Sequence, residues 1–228
     1  MLNFAIPDGH QMNHVLKFFA KAGIRCEGYD KNNLKRRPTL VLNSDRAKNT
    51  IKNCEPIFIK VIRPQDMPMH VAANGFDLAI TGTDWLFEHE MLFPNTPVRK
   101  LLSLGFGKVR IVCAIHDSLP IDNAEELKEF LNSFESQDYF RIASEYVYIA
   151  DYFARKNKLP KYKVIMTYGA TESLIPEDAE MIIENTETGS TLRKNQLKII
   201  AEIFHSEGCL IANSKSCKDT QKGQIIEA

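Results

Sequence analysis

The chain has 228 residues, 44% of them hydrophobic and 25% charged, enough for one large globular domain or two small ones. Lys plus Arg and Asp plus Glu both number 29, so no overall field favours nucleic acid or an anionic membrane. No apolar run approaches the ~20 residues that span a bilayer, and the N-terminus lacks the charged start and long apolar core of a secretory leader. Five scattered cysteines without a CxxC suggest neither a disulfide framework nor a zinc site, and point to a reducing cytoplasm. Leu2 to Ile6 reads as a strand ending in the turn Pro7-Asp8-Gly9-His10, after which Met12, Val15, Leu16, Phe19 and Ala22 recur at helical spacing. Gly23 to Lys52 is charged, with a basic patch at Lys35-Arg36-Arg37 and one apolar run at Thr39 to Leu42.

Ile57 to Ile62 is the next strand, with Arg63-Pro64-Gln65-Asp66 at its carboxyl end. His70 to Asn74 makes a short helix that Gly75 can stop. Asp77 to Ile80 is a buried strand leading through Thr81-Gly82-Thr83-Asp84 into a helix at Trp85 to His89. Strands at Val109–Ile115, Tyr139–Ala143 and Lys163–Thr167 alternate with helices at Ala124–Phe134 and Tyr146–Lys156. Leu127, Phe130, Leu131 and Phe134 form the apolar side of the first of these helices. Met181-Ile182-Ile183 is a buried strand flanked by Glu180 and Glu184. Leu192, Leu197, Ile199, Ile200 and Ile203 then predict an amphipathic helix from Leu192 to Phe204. Cys209 to Asn213 is the last strand, followed by a polar tail.

Short apolar strands alternating with helices predict an α/β fold built on parallel sheets. Ligands of such sheets lie outside the carboxyl ends of the strands. Polar residues gather there at Asp8, at Arg63 and Asp66, at Asp84, at Glu172, and from Glu184 onward. The run Glu187-Thr188-Gly189-Ser190-Thr191 is the strongest of these clusters. Free N–H groups and small hydroxyls at a helix start seat a phosphate, and carboxylates upstream suit ribose hydroxyls or a magnesium ion bridging ribose and pyrophosphate. Glu180 and Glu184 should share one face of their strand, because alternate strand residues point the same way. Each feature also has a plain structural reading. The Thr-Gly-Ser-Thr run serves as a capped turn, Glu180 as a solvated residue, Arg63 as a partner of Asp66, and Asp84 as an N-cap. His10 and His14 have the spacing of metal ligands on a helix but lack the glutamate of the HExxH pattern.

The order and spacing of several short pieces resemble the catalytic part of the ATP phosphoribosyltransferase family. They are Arg63 to Pro68 with Gly75 to Asp84, Leu104 to Gly107, Arg141 to Tyr146, Gly169 to Glu172, Glu180 to Glu184, and Thr188 to Leu197. The likeness covers Leu2 to Asn213. It implies a two-lobed periplasmic-binding-protein-like (type II) α/β fold with mainly parallel sheets and a cleft between lobes. One lobe would be residues 1–97 plus 205–228, and the other 98–204 with the phosphoribosyl pyrophosphate loop.

The implied reaction moves phosphoribosyl from phosphoribosyl pyrophosphate to a ring nitrogen of the adenine of ATP, the first step of histidine biosynthesis. By the resemblance, Glu187, Thr188, Gly189, Ser190 and Thr191 hold the sugar phosphate, and Glu172, Glu180 and Glu184 are the catalytic carboxylates. Glu180 and Glu184 also hold Mg, directly or through the substrate. Arg63, Gly82, Asp84, Asp8 and Gly9 face the nucleotide and pyrophosphate. The chain is similar to the short form without a C-terminal regulatory domain. That form implies a cytoplasmic homo-oligomer with a regulatory subunit resembling histidyl-tRNA synthetase.

The first turn departs from the family, which usually has lysine before the glycine where this chain has Asp8. One unit pair at ~6 Å and an effective dielectric of ~20 is worth about 3 kcal/mol. Lys35, Arg36 and Arg37 are the candidates to compensate. Glu145 and Val147 stand where lysine and proline are common. Two further readings stay open on these departures: a nucleotide- or phosphosugar-binding module without turnover, and a regulatory subunit of a partner enzyme.

Overall fold

Side chains of the N-terminal strand divide the core of the first unit between two faces, because neighbours on a strand point to opposite sides. In the computed structural model, which describes residues 1–43, 45, 48–49, 56–133 and 139–227, that unit comprises Met1–Gly107 and Glu207–Ala228. In chain order it contains β1 (Leu2–Pro7), α1 (Met12–Lys21), β2 (Ile24–Glu27), β3 (Thr39–Leu42), β4 (Ile57–Ile62), α2 (Met67–Ala72), β5 (Leu78–Gly82), α3 (Thr83–Leu92) and β6 (Val98–Ser103). Ala5 and Ala79 pack under Met67, Val71 and Leu86 on one face. Their neighbours Ile6 and Ile80 pack with Met12, Val15 and Phe19 on the other.

The second unit, Lys108–Ser206, is one continuous segment. It contains β7 (Val109–His116), α4 (Ala124–Ser133), β8 (Phe140–Ser144), α5 (Val147–Lys156), β9 (Tyr162–Met166), β10 (Met181–Thr186), α6 (Ser190–Lys194) and β11 (Leu197–Ser206). The chain then returns to the first unit as β12 (Gly208–Asn213), α7 (Ser214–Lys218) and α8 (Thr220–Glu227). The sheet orders are β4-β1-β5-β12-β6 and β11-β7-β10-β8-β9. Three adjacent strands of each sheet are parallel, β4-β1-β5 and β10-β8-β9, while β12, β6, β7 and β11 enter antiparallel. Their carboxyl ends therefore line up, which fixes where loops can collect.

Three expectations need correction. The crossing between units falls after Gly107 rather than at 97, because β6 pairs with β12 and belongs to the first sheet; the return falls after Ser206. The helix expected from Leu192 to Phe204 is a five-residue helix, α6, followed by the ten-residue strand β11. Register shifts between Ile199 and Ala201 and between Glu202 and Phe204 bring Leu197, Ile200, Ile203 and Ser206 to three-residue spacing. A twice-bulged strand thus imitates a helical period. The polar tail folds as α7 and α8, held by Asp77, which accepts from Asn3 N and Lys222 Nζ at 2.8 Å each and from Ser216 Oγ at 2.5 Å. Phe134 and Cys54 lie outside the described residues; Cys113 and Cys209 are buried free thiols. Among the described residues no helix is long and apolar enough to cross a membrane.

Candidate functional site

The carboxyl ends of β8, β9 and β10 carry one connected polar network. Ser144 Oγ donates to Ile183 O at 2.6 Å and accepts from Tyr146 N at 2.9 Å, joining β8 to β10. Thr167 and Thr171 share a hydroxyl bond of 2.9 Å, and Thr171 bonds the Glu184 carboxylate. Glu184 Oε1 also accepts from Asn185 N and Nδ2 at 2.8 Å each, and Asn185 Nδ2 donates to Tyr146 Oη at 3.2 Å. Burial pushes the Glu184 carboxyl up to about 7; the Asn185 N–H opposes the rise, and the nearby Glu145 and Glu172 carboxylates add to it. Such a group is half-ionised at neutrality. A magnesium ion or a cationic ribose would draw it fully ionised.

The phosphate-type turn follows directly. Gly189 is left-handed at φ +72°, which favours glycine, and Arg193 Nη1 lies 3.1 Å from where a Cβ would stand. Thr186 Oγ1 accepts from Gly189 N at 2.9 Å and steadies the turn from beneath. Glu187, Thr188, Ser190 and Thr191 are exposed around it.

The first unit presents a second set at its own carboxyl edge. Asp8 N donates to Ile62 O at 3.2 Å, so the β1 turn and Arg63 are neighbours. Arg63 is exposed, and among the described residues it forms no ion pair with Asp66. Asp8 pairs with Arg36 at 3.3 Å, which selects Arg36 from the three basic candidates. That loop is pinned where Val61 N donates to Arg36 O at 2.9 Å and where Tyr29 Oη donates to Pro7 O. Gly82 lies under the Asp84 carboxylate, whose Oδ1 is 2.0 Å from where a Cβ would stand. Gly82, not Asp84, is the N-cap of α3.

Glu180 is not brought to this group. It precedes β10, and four residues of strand separate it from Glu184 by about 13 Å. Its carboxylate forms a fork with Arg141, with Nη2–Oε1 at 2.5 Å, Nε–Oε1 at 3.0 Å and Arg141 N–Oε2 at 2.6 Å. A single ion held between Glu180 and Glu184 is incompatible with that placement. Among the described residues no cluster of three or more His, Cys, Asp or Glu could hold a metal by itself. Glu145, not Glu180, is a carboxylate close enough to act on Glu184, and its Oε1 lies 3.8 Å from where a Cβ on Gly169 would stand. Glu145 and Tyr146 follow the carboxyl end of β8 and Asn185 lies near that of β10, so their position at strand ends was the signal that could have marked them as site residues.

Two mixed-sheet α/β units with loops gathered at parallel carboxyl edges define the architecture of periplasmic binding proteins. The aliphatic sulphonate binding protein SsuA of Escherichia coli shares it, with a TM-score of 0.56 at 9% identity over 99% of this chain and 68% of that one. The ATP phosphoribosyl transferase (HisG:HisZ) complex of Thermotoga maritima gives 0.72 at 22% identity, over 100% and 94%. The model of the ATP phosphoribosyltransferase family matches residues 63–228. An ATP phosphoribosyltransferase of Methanocaldococcus jannaschii is 33% identical over 99% of this chain and 69% of that protein. That of Sulfurisphaera tokodaii is 31% identical over 98% and 69%. The chain belongs to the ATP phosphoribosyltransferase family. It transfers phosphoribosyl from phosphoribosyl pyrophosphate to the adenine of ATP, releasing pyrophosphate, in the first step of histidine biosynthesis.

Proposed function

We propose that the carboxyl edge of β10 holds the phosphoribosyl group and that of β1, β4 and β5 holds the nucleotide. The observation that carries this reading is the left-handed Gly189 turn beside the Glu184 network. Thr188, Ser190 and Thr191 donate to the sugar phosphate together with the turn's N–H groups, and Glu187 flanks them. Glu184 and Glu172 accept from the ribose hydroxyls. Arg63 and Arg36 face pyrophosphate, with Asp8 and Gly9 shaping their turn, and Gly82 and Asp84 contact the nucleotide. Carboxylates plus substrate phosphates are the usual magnesium environment, so Glu184 and Glu172 would share the ion with phosphoribosyl pyrophosphate rather than hold it alone. Held there, it would supply positive charge against the departing pyrophosphate.

As the anomeric C–O bond breaks, its electron pair leaves with pyrophosphate and positive charge spreads over the ribose ring. The adenine nitrogen supplies the pair for the new C–N bond. The protein orients the two partners and stabilises separated charge, and no covalent nucleophile is needed. A cytoplasmic homo-oligomer with a separate regulatory subunit resembling histidyl-tRNA synthetase fits this reading. The Thermotoga maritima protein is named as a HisG:HisZ complex, which supports a separate partner subunit.

The test is an absorbance assay of phosphoribosyl-ATP with purified protein, ATP, phosphoribosyl pyrophosphate and magnesium. Glu184→Ala and Thr188→Ala should each lower kcat/KM about a hundredfold, ~2.7 kcal/mol of transition-state stabilisation. Chelation should stop turnover without shifting the melting temperature of the ligand-free protein. Activity that survives both substitutions would remove the β10 edge from the mechanism.

A further inference from the structure

Strand β10 departs from its own pattern at Asn185. Ile182 and Ile183 are strong strand formers, whereas asparagine is depleted in strands, and the reaction as described gives this one no role. Asn185 is paired with Ile111 of β7, but the ladder from β10 to β8 covers only Met181 and Ile182. Beyond it Tyr146, which follows β8 and is 1% exposed, reaches Asn185 through its side chain: Tyr146 Oη accepts from Asn185 Nδ2 at 3.2 Å. The same Nδ2 donates to Glu184 Oε1 at 2.8 Å, where the Asn185 backbone N–H also arrives at 2.8 Å. An amide nitrogen has two hydrogens, and both are used. The carboxylate also decides which way the amide is turned, since Oδ1 in place of Nδ2 would set two acceptors against each other.

The consequence falls on Glu184. Two donors from one residue occupy Oε1, and the buried phenol holds the amide that supplies one of them. A carboxylate gripped in this way cannot turn freely, and the oxygen left for a ligand is Oε2. Glu184 is only partly buried, so a ligand can reach it. A ribose that gains positive charge as pyrophosphate departs is stabilised best by an acceptor already fixed in place, because no reorganisation is then needed during the reaction. A carboxylate misplaced by about 1 Å can cost up to about a hundredfold in rate. The amide's bond to Glu184 is exposed, where a hydrogen bond adds little to stability, so its loss should show in turnover rather than in melting.

We infer that Asn185 is a positioning residue for the pentosyl transfer: its amide, braced by Tyr146, holds one oxygen of Glu184 and aims the other at the ribose hydroxyls. This rests on the phosphoribosyl group lying at the carboxyl edge of β10.

The test compares rates of phosphoribosyl-ATP formation for wild type, Asn185→Leu, Glu184→Ala and the double variant. Leucine fills a similar volume and has no donor. Expected for Asn185→Leu are a kcat about tenfold lower and a KM for phosphoribosyl pyrophosphate within about twofold of wild type. The ligand-free variant should melt within about 2 °C of wild type. On the Glu184→Ala background the same substitution should change kcat by less than about twofold, because no carboxylate remains to be positioned. Should Asn185→Leu fail to fold, Asn185→Val is read in the same way. An undiminished kcat, or an effect confined to KM, overturns the inference. So does a tenfold loss that persists on the Glu184→Ala background, which would mean that Asn185 acts without Glu184. A fall in kcat explained by melting near the assay temperature assigns Asn185 a structural role and overturns it too. If Glu184→Ala turns over like wild type, the β10 reading itself fails. If Glu184→Ala is impaired and Asn185→Leu is not, only the Asn185 assignment fails.

Discussion

Glu184 shows how a single side chain couples stability to function. Its carboxyl is raised from 4.5 to about 7, chiefly by burial. The folded protein therefore binds this proton more tightly than the unfolded chain does. The associated stability is fully present below pH 4.5 and is lost as pH rises through about 7. Glu184→Gln should flatten that slope and stabilise the protein by about 1–3 kcal/mol at pH 8, read by denaturant titration at pH 5 and pH 8. Equal gains at both pH values would count against the buried-carboxylate account. Asp8 is the converse case at the surface. Its pair with Arg36, whose side chain is 70% exposed, contributes at most ~1 kcal/mol to stability. Asp8→Lys should leave the melting temperature nearly unchanged. It should also lower the KM of the anionic substrates, because it adds two positive charge units to the turn; an unchanged KM at low ionic strength argues that the turn does not face phosphate.

At the scale of elements, the Gly189 turn and the Asp77 anchor make separate predictions. Gly189→Val forces a β-branched residue to φ +72° and sets its Cβ 3.1 Å from Arg193 Nη1. Phosphoribosyl pyrophosphate binding by calorimetry should weaken at least about tenfold, while β10 stays packed through its core residue Ile182 and the loss of stability stays near ~1–2 kcal/mol. A loss of binding matched by global unfolding would mean that the turn's role is only structural. Asp77 is buried and holds α7 and α8 to the first strand; the Asn3 N–H, Lys222 and Ser216 pull its carboxyl below the usual range against the opposing effect of burial. Stability from Asp77 is thus present at neutral pH and fades as pH falls below its ordinary range near 3.8. Asp77→Ala should cost about 2–4 kcal/mol at pH 7 by denaturant titration, since it leaves Lys222 and a backbone donor unpaired. A cost below 1 kcal/mol would show that the C-terminal helices are held by other contacts.

For the whole molecule, connectivity separates the two units. All five strands of the second sheet come from the single segment Lys108–Ser206, whereas the first sheet needs β12 from beyond it. A fragment of residues 108–206 should therefore unfold cooperatively and keep measurable affinity for phosphoribosyl pyrophosphate, with no affinity for ATP. ATP binding by that fragment would move the nucleotide site away from the first unit. The first unit without residues 207–228 should not fold, because β5 and β6 would both lose the strand between them.

What the sequence determined on its own is what depends on local period and residue chemistry. Alternating apolar strands, glycine at a left-handed turn and carboxylates at strand ends were legible, and so were the α/β class and the Thr188–Thr191 turn. Tertiary structure decided whatever depends on partners distant in the chain. Pairing with β7 turned Leu197–Ser206 from an apparent helix into a bulged strand. Arg141 took up Glu180, while the meeting of β8, β9 and β10 gathered Glu145, Tyr146 and Asn185 around Glu184. A residue's type limits what it can do, but its neighbours across the sheet fix its charge and its use, and those neighbours exist only once the strands have paired.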